Sequence, residues 1–116
     1  MLGLKRGTVR LLPYQASWAE EGARAATRLQ ELFGSEAAAV RHVGSTSVKG
    51  LAAKPIIDLA VGMLDLERAE ALYPALAAAG FVHRPHVDGP DSLFLSAGDE
   101  GADTRTHHVH LVEYDG

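Results

Sequence analysis

Three groups of residues in this 116-residue chain combine types and spacings that could do chemistry. The first is one carboxylate, Asp58, inside the apolar run Ile56-Ile57-Asp58-Leu59-Ala60-Val61. Such a run predicts a buried central strand, and strand side chains alternate between faces. Ile57, Leu59 and Val61 then share the face that helices cover, and Ile56, Asp58 and Ala60 share the other. An ionised carboxylate within a strand is costly unless it is paired, hydrogen-bonded or bound to metal. Asp58 is therefore either a structural partner of Lys54 or an arginine, or a metal-binding or general-base carboxylate.

The second group is Gly44-Ser45-Thr46-Ser47-Val48-Lys49-Gly50, followed by Lys54-Pro55. A glycine ahead of hydroxyl residues lets backbone N–H groups approach a phosphate with no Cβ in the way. The hydroxyls add donors, and Lys49 and Lys54 add positive charge. The same composition also serves as a plain polar loop. It is neither a P-loop nor a dinucleotide fingerprint.

The third group is Arg105-Thr106-His107-His108-Val109-His110. Alternation puts Thr106, His108 and His110 on one strand face and His107, Val109, Leu111 and Glu113 on the other. Two imidazoles at i and i+2 have metal-ligand spacing, and imidazole favours Mn²⁺, Zn²⁺ or Ni²⁺ over Mg²⁺. Edge histidines that are solvated or bonded to one another are the competing reading. His42 reads as structural, and His83 and His86 as surface residues beside Pro85.

The elements that would position these groups follow from periodicity. Thr8–Leu12 reads as an edge strand or a lead-in, stopped by Pro13. Trp18, Ala25, Leu29, Leu32 and Phe33 recur at helical intervals, with Ser17 as N-cap, Glu20 at capping-box spacing and Gly34 as terminator. A strand from Ala38 to Val43 leads into the glycine loop, and Ile56–Val61 leaves it. Asp65 caps a second helix, Leu66–Ala79, which Pro74 kinks and Gly80 ends. Short strands follow at Phe81–Arg84 and Leu93–Ala97, and the last runs from Thr106 to Tyr114. The order predicts an α+β fold, a mixed or antiparallel sheet with helices packed on one face, in a single domain spanning 1–116.

The run from His42 to Asp58 (HVGSTSVKGLAAKPIID) closely resembles the middle signature of the GrpB family, small bacterial proteins of the nucleotidyltransferase fold. Arg105–His110 resembles the family's second signature, and Pro13-Tyr14 with Trp18 its N-terminal one. The resemblance implies a cleft in which the Gly44-Ser45 turn faces Asp58. In the wider superfamily that turn holds a triphosphate, and a pair of strand carboxylates holds divalent metal. On that pattern Gly44, Ser45, Thr46, Lys54 and Arg105 bind a nucleoside triphosphate or another phosphorylated small molecule. Asp58 is the catalytic group, and Asp58, His108 and His110 hold Mn²⁺, Mg²⁺ or Zn²⁺. The sequence departs from the pattern in three ways. Ala60 stands where a second carboxylate is usual, Lys49 stands where proline is usual, and the family's C-terminal helices have no counterpart before Gly116. The first and third departures favour the alternative of a catalytically inactive nucleotide- or metal-binding accessory module, of the kind associated with coenzyme A biosynthesis.

Composition narrows the partners. A net charge of −4 argues against binding long nucleic acid through bulk charge. The chain has no cysteine and so no thiol chemistry. No 18-residue apolar run predicts a membrane span, and no apolar segment follows Lys5 and Arg6 as a signal peptide would require. A cytoplasmic protein is expected, and an uncovered apolar sheet face would favour a homo-oligomer.

Overall fold

The computed structural model describes residues 2–5, 10–99 and 104–114. Among them the α-helices and strands are β1 (Leu4–Lys5), α1 (Ala16–Phe33), β2 (Ala37–Val43), β3 (Ile57–Met63), α2 (Tyr73–Ala78), β4 (Val82–His83), β5 (Ser92–Asp99) and β6 (Thr104–Glu113). The sheet order is β2-β3-β6-β5-β4, with β1 joined to β6. The β3–β6 pair is parallel and the other ladders are antiparallel, so the sheet is mixed. A parallel pair needs a long crossover. Here the crossover carries α2, β4 and β5.

β3 is buried at every second residue, Ile57, Leu59, Val61 and Met63. With Leu95, Val109 and Leu111 they form one sheet face, onto which α1 packs Trp18, Ala25, Leu29 and Phe33, and α2 packs Leu76. The helices thus share one face, as periodicity indicated. Burying one such large apolar side chain contributes roughly 1.5–3 kcal/mol. The opposite face presents Asp58, Ala60, His108 and His110. Among the described residues no helix is long and apolar enough to cross a membrane.

Several local expectations are corrected. Thr8 and Val9 lie outside the described residues, and Leu12 makes only an isolated bridge with Ala53. α1 starts one residue before Ser17, with Gln15 at the N-cap and no side-chain cap. Gly34 ends α1 as expected, at φ 56°. Leu66–Leu72 is a 3₁₀ stretch rather than α-helix, capped by Asp65 accepting from the Glu67 N–H. The α-helix proper begins at Tyr73, because Pro74 has no N–H to donate and fits only a first turn. β4 holds two residues, although the Arg84 N–H still donates to the Phe94 carbonyl.

Strict alternation fails at the start of β6. Its register with β5 shifts between Ala97 and Gly98, and Thr106 Oγ1 lies 2.7 Å from His107 Nδ1. Neighbours on opposite faces could not touch in this way, so a bulge sits at Thr106–His107. From His107 onward the expected alternation holds.

Candidate functional site

The site is built where β2 hands the chain to β3. Val43 and Asp58 are register partners, so the Gly44 turn closes directly over Asp58. Gly44 adopts φ 74°, ψ −170°, a conformation that favours glycine. A Cβ there would lie 2.9 Å from Asp58 Oδ2 and 3.1 Å from Asp58 Cβ, so a side chain would also crowd the carboxylate. A single 3₁₀ turn, Ser45–Ser47, follows. The Ser47 N–H and hydroxyl both donate to the Gly44 carbonyl, at 3.1 and 2.6 Å.

Thr46 is 2% exposed and is held from beneath. Its Oγ1 lies 2.9 Å from His42 Nε2 and donates to the Ile56 carbonyl at 3.4 Å. His42 packs against α1 at the position of Gly22: a Cβ at that glycine would lie 2.2 Å from His42 Nδ1. Burial pushes the His42 imidazole below its usual range, and the nearby Asp58 charge partly offsets this. Sequence reasoning left His42 as a lone structural residue and passed over Gly22. A glycine in a helix interior was the available signal.

The parallel register sets Asp58 beside His108 and Ala60 beside His110. His108 Nδ1 is 3.6 Å and His110 Nε2 3.7 Å from the same atom, Asp58 Oδ1. Burial raises the Asp58 carboxyl, but interactions with the two imidazoles outweigh it and hold the group at about 2. Phe94 supports both rings from β5, in edge contacts at centroid distances of 5.1 and 5.4 Å. Ser96, the β5 partner of His108, is buried and accepts from Arg84 Nε at 2.9 Å. Neither Phe94 nor Arg84 was marked in the sequence.

Ser45, Thr46, Lys54, Ile56, Asp58 and His108 line one cavity of about 110 Å³. That is well below the roughly 300–1,000 Å³ of pockets that enclose a drug-sized ligand, so the space suits a small group such as a phosphoryl and not a whole nucleotide. Of the residues singled out by sequence, it brings together Ser45, Thr46, Lys54, Asp58 and His108, with Gly44 at its rim and His110 beside Asp58. Arg105 is not among its lining; it pairs with Leu4 and Gly98 at the far side of the bulge. His107 lies on the helix-covered face, and burial pushes its imidazole down. His83 is not a surface residue: it stacks on Tyr73 at 4.3 Å and meets Asp88 Oδ2 at 2.8 Å.

A metal ion needs its ligand atoms about 2.0–2.2 Å from one common point. Among the described residues no group of three or more histidine, aspartate or glutamate side chains is arranged to hold one. Both imidazoles turn toward one Asp58 oxygen, and Ala60 offers no second carboxylate.

A larger cavity of about 610 Å³ lies between the Leu66–Leu72 stretch, α2 and strands β5 and β6. Among the described residues its lining includes Glu67, Glu70, Asp91 and Glu113 and no lysine or arginine, so it is unsuited to a phosphate.

Residues 8–116 match the family described as GrpB protein. This chain belongs to the GrpB family. It is 34% identical over 119 residues to the glutamate-rich protein GrpB of Alkalihalophilus pseudofirmus, covering all of this chain and 68% of that one. It is 40% identical over 103 residues to a UPF0157 protein of Streptomyces coelicolor, covering 89% of this chain and 51% of the relative. Part of it, 72%, is 36% identical to 21% of a protein named dephospho-CoA kinase in Mycobacterium tuberculosis. The crystal structure of conserved protein GrpB from Enterococcus faecalis superposes with a TM-score of 0.84 at 32% identity, over 92% of this chain and 63% of that one. The chain thus spans between a fifth and two thirds of these bacterial relatives.

Proposed function

We propose that the cleft between the Gly44 turn, Lys54 and Asp58 binds the phosphate chain of a nucleotide or a similar phosphorylated small molecule, as a nucleotidyltransferase-like site. The observation that carries this reading is the convergence of a positive-φ glycine turn, two hydroxyl residues, one lysine and a carboxylate–imidazole pair on a phosphoryl-sized space. Backbone N–H groups of the turn and the Ser45 hydroxyl supply donors, Thr46 braces the turn from beneath, and Lys54 supplies charge. The rest of the ligand would lie on the open sheet face beyond His108. Arg105 is left out of this set.

A second reading is a binding module without turnover. The match of this domain to a fifth of a longer protein named dephospho-CoA kinase favours it, because a domain joined to another enzyme can serve as its ligand sensor.

Thermal-shift titration with the four common nucleoside triphosphates tests both. A ligand at about 100 times its Kd stabilises by roughly 2.7 kcal/mol, which for a domain this size is on the order of 10 °C in Tm. The shift should occur without added metal and shrink in Lys54→Ala. Product formation in the same samples distinguishes an enzyme from a binding module. No shift with any nucleotide, with or without Mn²⁺, would contradict the reading.

A further inference from the structure

The Asp58–His108 pair has a consequence that phosphate binding alone does not require. His108 turns Nδ1 toward the Asp58 carboxylate. A carboxylate in that position favours the tautomer with the proton on Nδ1, which leaves the lone pair on Nε2. The same relation makes a histidine a better base or nucleophile, because the carboxylate stabilises the positive ring that forms during reaction. His108 also lines the phosphoryl-sized cavity with Ser45, Thr46 and Lys54. His110 differs on both counts. It turns Nε2 to the same oxygen, is 45% exposed, and is not among the residues lining that cavity.

The geometry points to His108 as a nucleophile toward phosphorus, an inference that rests on the phosphate-binding reading of the cleft. Nε2 attacks a phosphorus of a phosphoanhydride. The N–P bond forms as a P–O bond breaks, and the leaving group takes the electron pair: the nucleoside diphosphate when the γ-phosphorus is attacked, pyrophosphate when the α-phosphorus is. The ring keeps its Nδ1 proton and becomes cationic, facing the Asp58 carboxylate. A hydroxyl compound or water then attacks phosphorus, the P–N electron pair returns to Nε2, and the acceptor's proton passes to solvent. The net reaction is transfer of a phosphoryl or nucleotidyl group, with no redox partner. Such a route places catalysis on the carboxylate–imidazole pair.

The test uses the full chain, two labelled probes and one small donor. Wild type is incubated with nucleoside triphosphates carrying ³²P at the α or the γ position, with binding followed by thermal shift in parallel. Separately, phosphoramidate is offered as a phosphoryl donor, and modification of the six histidines is followed by mass spectrometry. The expected results are an alkali-stable, acid-labile protein label and preferential phosphorylation of His108. Both should be lost in His108→Gln and kept in His86→Gln, a change at an exposed histidine outside the cleft, with melting curves confirming that each variant is folded. Nucleotide binding without label, together with no preference of phosphoramidate for His108, would overturn the proposal. Absence of nucleotide binding with selective modification of His108 would sustain the nucleophile and instead remove the nucleotide reading of the cleft.

Discussion

Gly22 and His42 show how a residue far from the candidate chemistry sets its geometry. The missing Cβ of Gly22 makes room for the imidazole, the imidazole meets Thr46, and Thr46 forms part of the phosphoryl-sized cavity. Alanine normally stabilises a helix interior over glycine by roughly 0.5–1 kcal/mol. Here the added methyl would collide with the ring, and overpacking of that kind costs about 1–3 kcal/mol. Gly22→Ala should therefore destabilise the protein in urea denaturation; a gain in stability would show that His42 is not wedged there. His42 and His107 make a further prediction. Burial holds both below their usual value of 6.5 in the folded chain. Between those lowered values and 6.5 the unfolded chain binds more protons, so stability rises with pH. It is present in full above pH 6.5 and is lost as pH falls toward the folded values. Denaturation midpoints across pH 5–8 should follow this slope, and replacing His42 by Gln should flatten it. At this scale the sequence made Asp58, the glycine turn and the H-x-H pair legible, because each breaks the pattern around it. It did not reveal His42, Phe94 or Arg84, whose roles come from neighbours on other strands.

The helix and the central strands were legible for a different reason. Each buries one face, and burial imposes a period, 3.6 in α1 and 2 in β3. Leu29 sits at the centre of the α1 contact and is fully buried. Leu29→Ala should cost about 2–5 kcal/mol in equilibrium unfolding; a loss below 1 kcal/mol would mean that α1 is not anchored through that residue. The elements misread from sequence are those governed by local hydrogen bonding. Leu66–Leu72 has a helical apolar pattern, yet it follows a 3₁₀ path that leads to Pro74. The bulge at Thr106–His107 is set by pairing with β5 and leaves no mark in hydropathy. The β3–β6 register matters most for the site. Sequence supplied the alternation of His108 and His110, but only the sheet order could place them beside Asp58.

On the scale of the molecule, charge and surface act together. The chain carries a net charge of −4, yet Lys54 stands at the cavity that holds Ser45 and Thr46, while the larger cavity is lined by carboxylates. On the proposed reading a phosphorylated ligand meets the Lys54 charge in the smaller cavity, beside the Asp58 carboxylate, whereas the larger cavity offers it carboxylates without a lysine or arginine among the described lining residues. Among the described residues the sheet carries both α-helices on one face and neither on the Asp58 face. GrpB-family membership agrees with that architecture, and the chain matches the Enterococcus faecalis protein over nearly all of its own length. The most direct check of the account is a titration of ¹⁵N-labelled protein with ATP, followed through backbone amide and imidazole resonances. The account predicts saturable shifts at Gly44, Ser45, Thr46, Lys54 and the His108 ring, with Glu67, Glu70 and Asp91 unmoved. Shifts centred on those three acidic residues, or a spectrum unchanged at millimolar ATP, would contradict it.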